Sequence, residues 1–391
     1  MDNQQKLFQD PYSFYFEQRA NDNLKFFTMN EDFNSEGFWG VFRYNQALDI
    51  LKNIISTSKN FSVLKNENNK SIYDLHLLNR DGGDHARLRK LSLKFFSASS
   101  LSKFDHVIED VIDARMSIVL KNPNIDLIND FARKVPIQVI LKLIGIKSNN
   151  ADEIASWIND ILIDSLLLDA NLKIKRKSAV DSFILFVSDL IKSESDYEID
   201  SLIYHLIFSC REEKLSQDEL ISYLIFLMVA GHETTIDLMG NSLYTLLCNK
   251  KFSTELKKNP DLIISFIEEV LRLESPVQRT TFRVLNNNTT IAGTNLKEGE
   301  QVRIFIGSVN RDESIFPMSE TFLLDRNPNP HLAFGFGPHN CIGQYLARVE
   351  TKIAILKILP FISNFLLLGE PSWKFSNFSR GLESLSIKNL N

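Results

Sequence analysis

Cysteine is scarce in this chain. There are three in 391 residues, Cys210, Cys248 and Cys341, with no C-x-x-C spacing and no Cys/His pairing. That excludes a disulfide framework, a zinc site of ordinary spacing and an iron–sulfur cluster held within the chain, and it points to a reducing compartment. Long apolar runs are missing as well. The longest lies near Leu224–Ala230, far too short to cross a bilayer, and Met1–Phe14 is polar and mixed, without a signal or anchor core. A cytoplasmic protein without a membrane anchor is expected. Basic charge is not in excess: the net charge of −5 gives no global pull toward nucleic acid or anionic membrane. Glycine and proline are few and nowhere gather into a linker, and no internal repeat or low-complexity tract is present. The chain therefore reads as a single domain spanning residues 1–391, expected to be a monomer.

What is present is an ordinary globular composition, 44% hydrophobic and 24% charged, with 29 phenylalanines that suit an aromatic interior and an apolar cavity. The most informative stretch is Phe334-Gly335-Phe336-Gly337-Pro338-His339-Asn340-Cys341-Ile342-Gly343. A helical pattern follows the cysteine, with apolar Ile342, Leu346, Val349, Ile353 and Leu356, until Pro360 ends it. A cysteine at a helix start meets unpaired backbone N–H groups and the positive end of the dipole, which favours its thiolate. The glycines allow a large flat group to approach the backbone. These are the needs of a thiolate that ligates haem iron. A buried structural cysteine in a glycine-rich turn is the plainer alternative.

The stretch F-G-F-G-P-H-N-C-I-G resembles the haem-binding loop of the cytochrome P-450 family. The resemblance implies a mainly α fold with haem between two central helices. A large helical part (about 84–275 and 341–360) would be joined by a smaller β-rich part (about 20–60 and 277–330). Cys341 would be the axial iron ligand, with Phe334, Gly335, His339 and Gly343 also at the haem.

Four further motifs follow in the family's order. Asp84-His85-Ala86-Arg87-Leu88-Arg89 opens a helix on which His85 and Arg89 share a face. It resembles the propionate-binding helix, although Asp81-Gly82-Gly83 stands where relatives carry a proline turn. Arg87, Lys90 and Lys94 lie on the other face, either simply solvated or docking an acidic electron carrier. Ser216-Gln217-Asp218-Glu219 is a capping box, and the helix it opens runs to about Asn249. Mid-way sits Ala230-Gly231-His232-Glu233-Thr234-Thr235, where a glycine is unfavourable by roughly 1 kcal/mol and calls for a reason, such as a local opening. This A-G-x-E-T-T resembles the family's oxygen-binding signature. Glu233 and Thr234 would be its catalytic acid–alcohol pair, and Ala230 would lie against the haem. No role attaches to His232.

Glu269-Val270-Leu271-Arg272 is an E-x-x-R that would be commonplace alone; with Arg326 it resembles the family's buried charge triad. Arg283, ten residues before Gly293, matches a second propionate-binding arginine. Thr280–Leu285, Thr289–Ile291 and Gln301–Ile306 read as strands. Phe61, Leu75, Phe226, Leu227, Val277 and Thr280 are candidates for the substrate pocket; Phe226 and Leu227 are equally readable as core. The segment containing Phe61 and Leu75 equally reads as a solvated loop.

The resemblance implies a monooxygenase that carries haem b, takes dioxygen as co-substrate, and receives electrons from a separate ferredoxin and reductase. The substrate would be a small hydrophobic molecule, such as one of secondary metabolism. Oxidative aryl or phenol coupling and desaturation use the same parts. A non-enzymatic haem sensor or carrier would explain Cys341, His85 and Arg89 but not Glu233-Thr234.

Overall fold

The computed structural model describes residues 10–20, 24–28, 37–52, 57–58, 71–147, 150–163, 169–193, 197–199 and 201–390. Helices dominate: α1 (Tyr12–Ala20), α2 (Tyr44–Lys52), α3 (Gly82–Leu93), α4 (Asp105–Lys121), α5 (Val135–Ile144), α6 (Ala151–Ile161), α7 (Ala170–Lys192), α8 (Leu202–Arg211), α9 (Gln217–Cys248), α10 (Lys250–Lys258), α11 (Leu262–Leu273) and α12 (Gln344–Ile358). Among the described residues, no helix is long and apolar enough to cross a membrane.

The axis of the molecule is α9. Ser216 caps it, its hydroxyl accepting from the Glu219 N–H while the Glu219 carboxylate accepts from the Ser216 N–H. Its 32 residues run without interruption through the largest core, burying Leu220, Leu224, Met228, Ile236, Leu243 and Leu246 on different faces. A helix apolar most of the way round is one that neighbours surround. Helices α5, α7, α11 and α12 all pack on it. Gly231 does not open the helix; its missing side chain lets α5 approach, since a Cβ there would stand 3.4 Å from Ile140.

The largest sheet has five strands in the order β1-β2-β8-β5-β3: β1 (Lys25–Thr28), β2 (Gly37–Val41), β3 (Thr57–Ser58), β5 (Arg283–Leu285) and β8 (Gln301–Ile304). Only β2 and β8 run parallel. Aromatic residues fill the corner beside it: Phe42 stacks on Phe305 at 4.2 Å, and Phe27, Phe38 and Tyr15 close round them. Gly40 makes room, as a Cβ there would come within 2.7 Å of Phe27. Part of the phenylalanine content is explained by this corner rather than by a cavity.

Strands after residue 360 were not expected. Phe365–Leu367 (β9) and Ser386–Asn389 (β12) pair with Asn124–Asp126 (β4), while Ser372–Trp373 (β10) and Leu382–Ser384 (β11) form a hairpin. Each has two to four residues, too few for an alternating pattern to stand out. The remaining hairpin joins Thr289–Ile291 (β6) to Thr294–Leu296 (β7).

Candidate active site

The cysteine loop closes on itself through the Cys341 N–H, which donates to the Phe334 carbonyl at 2.9 Å. Gly335 and Gly337 take φ of +70° and +72°, where a side chain is strained. A Cβ on Gly337 would also stand 2.5 Å from the Leu51 carbonyl, so the loop is wedged against the end of α2. Helix α12 starts at Gln344, three residues later than the cysteine, with Gly343 as its cap. Cys341 is open on one side yet deep in the protein, so the opening is an internal recess rather than outer surface. Burial pushes its thiol up, although the Gly343 and Gln344 amides and the charges of Arg89 and Arg348 pull the other way. Desolvation wins. The helix start alone therefore does not hold a thiolate, which needs a cation on sulfur to persist.

Residues far apart in sequence converge beside this loop. The Arg89 Nη1 donates to the Asn340 carbonyl at 2.7 Å. The His85 and His339 rings lie 4.1 Å apart, and His339 Nε2 meets Asp81 Oδ1 at 3.0 Å. Burial pulls the Arg283 guanidinium below its usual range, with the Asp81 charge opposing. His339 and Arg283 thus face one carboxylate, with His85 against the His339 ring and Arg89 fastened to the loop. The unusual Asp81-Gly82-Gly83 turn supplies that carboxylate. Arg87, by contrast, is tied to Glu219 at 2.6 Å and to the Lys214 carbonyl at 2.9 Å, so it fastens α3 to α9 rather than offering a free docking charge.

On α9, Ala230 is exposed although most of the helix around it is buried. The Thr234 Oγ1 donates to the Ala230 carbonyl at 3.1 Å, the back-bond expected of a mid-helix threonine. Glu233 is bonded by Lys374 Nζ, which also reaches Asp237 Oδ1 at 2.6 Å. Burial would raise the Glu233 carboxyl, but Lys374 outweighs it and holds the group below its ordinary range. His232 is fully buried without a partner on either ring nitrogen, and burial drops it to about 4. It stays neutral near pH 7.

Two clamps brace the loop from outside. Glu269 accepts from Arg272 at 2.7 and 2.8 Å, from Arg326 at 3.0 and 3.1 Å, from the Leu323 N–H at 3.0 Å and from Asn329 at 3.2 Å. Its neighbour Glu268 turns the other way. It accepts from Arg348 at 2.6 and 2.8 Å and contacts His331 at 3.0 Å, while Arg348 lies over the Phe334 ring at 4.4 Å. Burial opposes ionisation of Glu268, but these partners outweigh it and hold its carboxyl at about 2. A carboxylate depressed on folding adds stability that is complete above its unfolded value near 4.5 and lost as pH falls toward 2. Acid unfolding followed by circular dichroism should therefore show Glu268→Gln less stable than the parent by roughly 3 kcal/mol at pH 6, the gap narrowing below about pH 4.5 and closing near pH 2.

The pocket candidates separate. Phe61 lies outside the described residues. Leu75 ends a short 3₁₀ turn, Ile72–Leu75, which rests on α9 and is fixed there by the Ser222 hydroxyl donating to the Tyr73 carbonyl at 2.9 Å. Phe226 stacks on His76 at 4.7 Å, and Leu227 is 4% exposed, a core residue. Val277 bridges Ser379. The Thr280 hydroxyl accepts the Ile304 N–H at 3.1 Å, so its polar atom serves the sheet. Sequence reading missed Lys374, Asp237, Glu268, Arg348 and His76. Their partners stand far off in the chain or carry no motif.

These residues fit a haem. The donor set is a recessed sulfur between glycines; beside it lie buried cations suited to propionates, and opposite in role an open alanine–threonine face on α9. The comparisons agree. The family model described as Cytochrome P450 matches residues 44–368. A cytochrome P-450 of Bacillus subtilis is 34% identical over 97% of this chain and 94% of its own length. The myxobacterial enzyme CYP267B1, solved with myristic acid, superposes with a TM-score of 0.92 at 27% identity, covering 98% of this chain and 97% of that one. BioI, solved with an acyl carrier protein bearing hexadec-9Z-enoic acid, gives 0.90 at 29%, covering 98% and 100%. The chain belongs to the cytochrome P-450 family, haem b monooxygenases that use dioxygen as co-substrate.

Proposed function

We propose that this enzyme oxidises a small hydrophobic molecule, by hydroxylation or a closely related reaction, with electrons from a separate ferredoxin and reductase. The observation that carries the reading is the Glu233–Thr234 pair, an ionised acid beside an alcohol on the open stretch of α9. A haem carrier has no use for such a pair. The haem, when bound, supplies dioxygen activation and the oxidising power.

The chain supplies the rest. Cys341 would give its sulfur to the iron, with the Gly343 and Gln344 amides favouring the negative charge on it. His85, Arg89, Arg283 and His339 would hold the propionates by charge-assisted contacts. Glu233 collects protons from solvent, and the Thr234 hydroxyl, anchored at the Ala230 carbonyl, steers where they are delivered. Leu75, Phe226 and Val277 are the pocket walls that turn an apolar substrate toward that point. Myristic acid and the hexadecenoyl chain, bound by two relatives, support an apolar substrate.

Thr234→Ala tests the reading. Product formed per electron consumed should fall by roughly tenfold or more, with electron consumption largely kept. An unchanged yield would remove the proton-delivery role.

A further inference from the structure

Glu233 does not act in isolation. Lys374, directly after β10, reaches across 141 residues to bond it, and the same ammonium bonds Asp237 one helical turn further along α9. The side chains are 17%, 8% and 0% exposed for Glu233, Lys374 and Asp237. One ammonium thus faces two carboxylates inside the protein, an arrangement short of one positive charge. The second oxygens, Glu233 Oε2 and Asp237 Oδ2, have no hydrogen-bond partner.

Beyond Lys374, Arg133 is the further cation that favours ionisation of both carboxyls, and it acts through its charge rather than by a hydrogen bond to either. His232 is neutral near pH 7. Arg133, before α5, is occupied by Asn129 at 3.2 Å and Glu383 at 3.7 Å, and Lys134 by Asp152 at 2.8 Å. Gly381 closes the other side so tightly that a Cβ would overlap Asp237 Oδ1. The Asp237 side chain is fully buried, so its charge is met chiefly by Lys374 or removed by a proton.

We propose that Asp237 is a positioning residue for Glu233: it competes for Lys374, and its protonation decides how tightly Glu233 is tethered. This rests on the role given to Glu233 above. With a proton on Asp237, Lys374 serves Glu233 alone and holds it as an anchored carboxylate. When Asp237 releases that proton to solvent, two carboxylates share the ammonium, and Glu233 is loosened and more ready to take up a proton itself. Burial first, and the Glu233 charge next, push the Asp237 carboxyl up to about 6, so the change falls close to neutral pH.

The test is an infrared pH titration of the holoprotein, which reads protonated carboxyl groups without turnover. Between about pH 5 and pH 8 the parent should lose one buried carboxylic-acid band with a midpoint near 6. Fully buried Glu350, whose carboxyl burial also raises, has its band identified separately with Glu350→Gln. Asp237→Asn should lack the titrating band, and the pH dependence of its product yield per electron should flatten. Asp237→Glu should restore both. Should the asparagine variant not fold, Lys374→Gln serves instead, raising the midpoint by about one unit or more. A titrating band that persists in Asp237→Asn, or none in the parent, overturns the proposal. Failure of the Glu233 assignment is read separately, as an unchanged product yield in Glu233→Gln.

Discussion

Cys341→Ser should lose product formation by at least about a thousandfold, the scale seen when a central catalytic group is removed. Serine preserves the loop, because the bond that closes it runs from the backbone N–H of residue 341 to the Phe334 carbonyl. It replaces a soft, electron-rich sulfur by a hydroxyl that iron holds poorly. Folding should survive while the haem is lost or changes its spectrum. Cys210→Ser and Cys248→Ser are the matched controls. Cys248 is exposed, Cys210 is half-buried, and burial raises the thiol of both, so neither should alter activity. Haem content, absorption spectra and turnover of the three variants check the expectation. Full activity in Cys341→Ser would sink the assignment.

Glu269→Gln should cost about 3–5 kcal/mol, enough to consume much of the stability of a domain that holds about 5–15 kcal/mol. Both Glu269 and Arg272 are fully buried. Arg272 also donates to the Asn310, Ser319 and Thr321 carbonyls, and Arg326 to those of Pro317, Met318 and Thr321. Removing the carboxylate leaves two guanidinium groups around a neutral amide, with the segment that leads into the cysteine loop hanging on them. Little folded, haem-loaded protein should accumulate. The exposed pair Lys251–Glu255, 3.9 Å apart, offers the contrast: Glu255→Gln should change stability by less than about 0.5 kcal/mol. Thermal unfolding and haem content report both. Equal effects would mean that the clamp is no more than a surface pair.

That contrast shows what a sequence can carry. In the chain, Glu269-x-x-Arg272 and Lys251-x-x-x-Glu255 are both charge pairs at helical spacing, and only the resemblance singles out the first. The two glutamates side by side make the point more sharply. Glu269 carries a motif, whereas Glu268 reaches Arg348 eighty residues away and has no spacing to announce it. Long helices were legible because propensity, capping and apolar period agree over many residues, as at Ser216 and along α9. The two-to-four-residue strands after Pro360 were not, since they exist only by pairing with distant partners.

Local chemistry was misjudged where tertiary burial overrides it. The expectation that a helix start favours the Cys341 thiolate omitted desolvation, which prevails until a metal supplies charge. Gly231 looked like a weak point in α9 and proves to be a close contact with α5. Lys374 and Asp237 stayed invisible for the same reason. A lysine near the chain end and an aspartate inside a helix mean nothing until the fold sets them on one carboxylate.

The central claim is that Cys341 binds haem iron through its sulfur. It is tested most directly by the absorption spectrum of the purified protein, reduced with dithionite and exposed to carbon monoxide. A Soret band strongly displaced to the red, the signature of a thiolate opposite the carbonyl ligand, is expected for the parent and absent from Cys341→Ser. A parent band at the position of histidine-ligated haem, or one unchanged in Cys341→Ser, would contradict it.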